Sequence, residues 1–151
     1  MIINFTAKSL VLTKVASSTL KFMNIFGIGI DVVEIDRIEE SIEKFGDKFL
    51  DRIFTQSERE YCDSQKRPHV NYAARFAVKE AVAKSFGTGI GKHLSFLDME
   101  ILREPSGEPK VVFFGAGEKF AKDNKIVSVK ISLTHAKLYA AANAIAMSAA
   151  E

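Results

Sequence analysis

The sequence predicts an α+β protein built on one main domain. Apolar residues recur with period two in some segments and with helical period in others, and the two kinds do not alternate as regular β-α-β units. The chain has 151 residues, 47% of them apolar and 12 of them Phe, enough for a single core. Residues 1–22 stand apart. They are rich in Ser, Thr and Lys, contain no acid, and are broken by Lys8, Lys14 and Lys21, so no signal-peptide core forms. They read as an N-terminal extension, or a non-native start, ahead of a domain spanning 23–151.

Residues 25–33, around FGIGIDVV, form the first strand, apolar on both faces. In EIDRIEESIEKF, Ile35, Ile38, Ile42 and Phe45 fall at helical spacing, and Gly46 stops that helix. Asp47 is placed to cap a short helix carrying Phe49, Leu50 and Ile53. Thr55 with Glu58 three residues on is a capping box opening the next. A longer helix runs from about Val70 to Phe86 and closes at Gly87. GTGIGKHLS is a glycine loop, residues 97–103 a strand, EPSGEP a turn and KVVFF its partner strand. AGEKFAKDNK is a short helix, and IVSVKISLTH alternates as a strand. The last segment, KLYAAANAIAMSAA, is Ala-dominated, and propensity alone makes it a helix.

Composition excludes several classes. Without the three lysines of residues 1–22 the charge balance falls from +2 to −1, too even for a protein that coats nucleic acid. No run approaches the ~20 apolar residues of a membrane span. The single cysteine, Cys62, can form neither an internal disulfide nor, with three scattered His, a zinc site. A reducing, cytoplasmic compartment follows, with Cys62 an inert helix residue.

Two constellations suggest chemistry. In RFAVKEAVAKSFG, Glu80 shares a helix face with Phe76, Ala77 and Ala83, where a carboxylate is costly unless paired or bound to a cation. Arg75 and Lys79, four apart, stack two positive charges along an adjoining edge suited to an anion. A salt bridge from Glu80 to Lys84 is the plainer alternative. In GIGID, Gly27, Gly29 and Asp31 share one strand face, so the acid stands beside two positions lacking side chains. Asp31 as a cap for the following helix is the alternative there. In SLTH, Ser132 and His135 point to opposite strand faces, which excludes a catalytic Ser/His pair. Two carboxylates beside several cations suit magnesium and a phosphorylated substrate. A nucleotide phosphohydrolase or a noncatalytic binding module would use the same groups.

The ordered set GIGIDVVEIDRI, F-x-x-R-I-F-T-x-x-E, RFAVKEAVAKSFGTGIG and SLTH resembles the bacterial holo-acyl-carrier-protein synthases, the small trimeric branch of the phosphopantetheinyl transferases, over residues 24–147. The resemblance implies an antiparallel sheet packed with helices, one of them long and central. It makes the Ala-rich segment a strand paired with 126–134. It implies a homotrimer whose protomers share active sites, and magnesium-dependent transfer of phosphopantetheine from coenzyme A to a serine of acyl carrier protein, supporting fatty acid biosynthesis. By motif, Asp31 and Glu80 are then magnesium ligands, with Glu80 preferred as proton acceptor. Arg75, Lys84 and His135 lie near the coenzyme's phosphates, Gly87 is on the loop beside it, and Lys79 contacts phosphate or assists the leaving group. Arg37, Lys48 and Arg52 form the patch that receives the carrier protein.

Overall fold

A computed structural model describes residues 23–150; the segment 1–22 lies outside the described residues. The described residues open with β1 (Met23–Glu34), followed by four helices: α1 (Ile35–Phe45), α2 (Asp47–Ile53), α3 (Gln56–Asp63) and α4 (Pro68–Ser85). A 3-10 turn at Phe96–Asp98 leads into the hairpin β2 (Met99–Arg103) and β3 (Pro109–Phe113). Helix α5 (Gly115–Asp123) precedes β4 (Ile126–His135) and β5 (Tyr139–Ala149). The main sheet has three antiparallel strands in the order β1-β5-β4. The fold is α+β, as the lack of β-α-β alternation predicts.

The Ala-rich segment is the central strand. Ala140, Ala142, Ala144 and Ala146 are buried on one face, while Asn143 is exposed on the other and Ile145 and Met147 are half-buried there. Its backbone pairs on both sides, Asp31 opposite Ala142 from β1 and Leu133 opposite Ala142 from β4. Two hydrogen-bonded neighbours and a face of methyl groups override the helix preference of alanine.

Helix α4 lies across this sheet. A Cβ added at Gly29 would sit 1.9 Å from the Ala81 carbonyl oxygen, and one at Gly27 would sit 2.1 Å from that of Ser85. The missing side chains let strand backbone meet helix backbone directly. The opposite face of β1 carries Ile28, Ile30 and Val32, which are 64%, 65% and 61% exposed.

Local capping follows the sequence in one place and departs from it in another. The Thr55–Glu58 capping box forms, with Thr55 N–H donating to Glu58 Oε2 at 2.9 Å and Glu58 N–H to Thr55 Oγ1 at 3.3 Å. Asp47 does not cap α2: Gly46 holds that position, and the Asp47 carboxylate instead pairs with Arg59 on α3.

The β1–α4 contact leaves no room for a methyl group. Gly29→Ala is expected to lower unfolding stability in urea by about 3 kcal/mol, the upper end of ordinary overpacking costs. A wild-type urea midpoint would contradict the close contact.

Candidate active site

The strand–helix contact brings together Asp31, Glu80 and Lys84. Lys84 Nζ donates to Asp31 Oδ1 at 2.9 Å and to the Ile30 carbonyl at 3.0 Å. Asp31 Oδ2 is buried and has no hydrogen-bond partner. Glu80, one turn before Lys84, has its carboxyl pushed above the usual range by partial burial and then by the Asp31 charge, with Lys84 opposing. Both plainer alternatives fail here. Lys84 pairs with Asp31 and not with Glu80, and the position that begins α1 is Glu34, so Asp31 caps nothing.

An orphaned carboxylate oxygen beside a second acid that resists ionisation is a donor set suited to a hard cation. Among the described residues no group of three or more His, Cys, Asp or Glu gathers to hold a metal.

Arg75 and His135 meet elsewhere, in a cavity of about 680 Å³ between α3, α4, β2 and β4. Its walls also carry Lys66, Arg67 and Arg103, and no Asp or Glu. Arg75 is 6% exposed, and its Nε has no hydrogen-bond partner. Its guanidinium lies over the Tyr61 ring, 4.0 Å from the centroid. A buried guanidinium without a carboxylate is costly, and an anion in the cavity relieves that cost. Sequence reading missed Lys66, Arg67, Arg103 and Tyr61. The adjacent cations just before Pro68, the first residue of α4, were the signal available.

Lys79 is not on that cationic edge. It is fully buried, and its Nζ donates to Ile53 O at 2.7 Å and Phe96 O at 2.9 Å while pairing with Glu58 Oε2 at 2.7 Å. An ammonium has three donors, so none remains for a phosphate. Burial pushes its pKa down, opposed by the Glu58 charge. The role expected for Lys79 in phosphate binding or leaving-group assistance is therefore replaced by a structural one. Removing one partner of such a buried pair costs about 3–5 kcal/mol.

The remaining expected residues separate by location. Gly87 follows α4, exposed at the start of the glycine loop. Arg37 on α1 and Lys48 and Arg52 on α2 are exposed, and none is in an ion pair. Cys62 is fully buried, and burial pushes its thiol up to about 12, which leaves it unreactive.

A family model described as the 4′-phosphopantetheinyl transferase superfamily matches residues 27–142. The chain belongs to this superfamily. Among individual relatives, the holo-[acyl-carrier-protein] synthase of Chlamydia trachomatis serovar D is 48% identical over 121 residues, 80% of this chain and 98% of the relative. That of Ruminiclostridium cellulolyticum is 44% identical over 119 residues, covering 78% and 89%. The crystal structure of the Neisseria meningitidis synthase superposes with a TM-score of 0.77 at 34% identity, covering 82% of this chain and 98% of that one. The Helicobacter pylori synthase, crystallised in complex with coenzyme A, gives 0.71 at 35% identity, covering 79% and 98%. The chain is thus an enzyme, a phosphopantetheinyl transferase of the holo-acyl-carrier-protein synthase type.

The raised pKa of Glu80 in this transferase has a thermodynamic sign. The folded state holds the Glu80 proton more tightly than the unfolded chain does, so stability falls as pH rises from the unfolded value through the folded one. Without divalent cations, Glu80→Gln is expected to raise Tm at pH 7.5 and to leave it near wild type at pH 4. Equal shifts at both pH values would contradict the charge repulsion at this site.

Proposed function

We propose that this transferase moves phosphopantetheine from coenzyme A to a serine of apo acyl carrier protein, giving holo carrier protein and adenosine 3′,5′-bisphosphate, in support of fatty acid biosynthesis. One observation carries the proposal: a buried, carboxylate-free guanidinium in a cationic cavity, together with a separate pair of carboxylates. A polyphosphate ester with a divalent cation satisfies both. The names of the relatives supply the identity of donor and acceptor.

Asp31 and Glu80 would hold magnesium, which supplies charge neutralisation on the diphosphate when bound. Arg75 and His135 bind and orient the phosphates through the cavity wall. Lys84 is half-exposed, so its ammonium is free to turn from Asp31 to an arriving phosphate oxygen. The serine hydroxyl attacks the phosphorus bearing pantetheine, the bond to the adenosine bisphosphate breaks, and a Glu80 carboxylate oxygen accepts the serine proton. Its raised proton affinity brings Glu80 nearer to the working range of a general base. Positioning and electrostatics do most of the catalysis, as is usual for phosphoryl transfer.

Arg37, Lys48 and Arg52 present unpaired charge on neighbouring helices, suited to the acidic helix of a carrier protein. The exposed Ile28, Ile30 and Val32 face favours burial between copies, in a homotrimer with active sites between protomers. The proposed compartment is the cytoplasm. Among the described residues no helix is long and apolar enough to cross a membrane.

The test is incubation with coenzyme A, magnesium and apo acyl carrier protein, followed by mass spectrometry of the carrier. A gain of one phosphopantetheine is expected, and its absence would overturn the assignment. Asp31→Asn and Glu80→Gln are each expected to lower turnover about 100-fold or more, the scale of losing one electrostatic contact to a transition state. For Arg37→Glu, weaker carrier affinity at low salt with unchanged coenzyme A binding is expected; an unchanged carrier KM would remove the docking patch. Light scattering at micromolar concentration is expected to give a trimer mass, and a monomer mass would contradict the shared sites.

A further inference from the structure

Tyr61 lies just outside the four motifs that carry the family resemblance, yet it is the group beneath the buried guanidinium of the cavity. Helix α3 lies against α4, and two contacts set how they meet. The Glu58–Lys79 ion pair fixes one level of the interface at 2.7 Å. One turn farther along α3, and one turn back along α4, the Tyr61 ring meets Arg75 with the guanidinium carbon 4.0 Å from its centroid. Glu58 is itself held by Thr55 N–H and Ile101 N–H, so α3 has little freedom to slide. Tyr61 and Arg75 both line the cavity, and no carboxylate there competes for the guanidinium.

We propose that Tyr61 is a positioning residue for coenzyme A binding: its ring holds the Arg75 guanidinium in the cavity, aimed at phosphate with no carboxylate partner. The face of the ring suits this task better than a carboxylate would. It attracts the cation without neutralising it, so the charge remains available to an anion. Without the ring, a long arginine side chain has other rotamers, and holding it in place costs ligand affinity. The inference rests on the proposed use of the cavity for coenzyme A.

The test measures coenzyme A binding by calorimetry, and KM and kcat for transfer to apo carrier protein, in the full chain with magnesium. Tyr61→Ala is expected to weaken coenzyme A binding about tenfold, the size of a partly desolvated cation–π contact, with KM rising and kcat little changed. Tyr61→Phe keeps the ring and is expected to bind as wild type, whereas Tyr61→Leu, which fills the space without a π face, is expected to resemble Tyr61→Ala. In an Arg75→Ala background the further change Tyr61→Ala is expected to have no effect. Equal losses with and without Arg75, or full binding by Tyr61→Leu, would reduce Tyr61 to a packing residue and overturn the inference. Wild-type binding by Tyr61→Ala would overturn it while leaving the transferase reading intact. Arg75→Ala with undiminished coenzyme A affinity would remove the coenzyme from this cavity and the inference with it.

Discussion

Helix α4 rests on β1 at backbone distance because Gly27 and Gly29 present nothing between strand and helix carbonyls. That contact positions the rest of the site. Asp31 is two residues beyond Gly29 on the same strand face, so it arrives at the level of the last turns of α4. Glu80 and Lys84 sit one turn apart on that helix, and the Asp31 charge acts on both. The alanine face of β5 continues the same close seat across the sheet. Small residues bury little area each, and larger apolar groups such as Val78, Val82, Phe86, Leu94 and Met99 contribute the bulk elsewhere in the core.

Lys79 and Glu80 divide the helix between structure and chemistry. Successive helical residues point about 100° apart, so adjacent charges reach different surroundings. Lys79 and its partner Glu58 engage four backbone groups: the carbonyls of Ile53 and Phe96 and the N–H groups of Thr55 and Ile101. These come from the end of α2, the start of α3, the 3-10 turn and β2. The pair ties the ends of several elements to the middle of α4, and so holds the helix on a different face from the carboxylates.

Charge is unevenly distributed around this frame. Asp31 and Glu80 concentrate negative charge where a buried oxygen lacks a partner. A separate cavity concentrates positive charge with no carboxylate in its wall. Each arrangement costs free energy in the isolated chain, and each is relieved by a ligand of opposite sign. In the proposed reaction a divalent cation supplies the one and a phosphate ester the other.

Much of this was legible in the sequence because it is written in local patterns. The Thr55–Glu58 capping box, the helical spacing of Ile35, Ile38 and Ile42, and the alternation in IVSVKISLTH depend on neighbours within one or two turns. Glu80 as an acid on a packed face and Asp31 beside two glycines were legible for the same reason. The fate of KLYAAANAIAMSAA was decided by tertiary structure. Its alternating alanines fit a strand, but only strands on both sides and a helix above make that arrangement favourable. Tertiary structure also decided where Lys79 and Arg75 go. Both looked like one cationic edge at a spacing of four, yet one found a buried carboxylate from α3 and the other a tyrosine ring and an open cavity. Helical spacing determines which residues share a face; what that face meets depends on residues distant in the chain, and for a buried charge the partner decides its role.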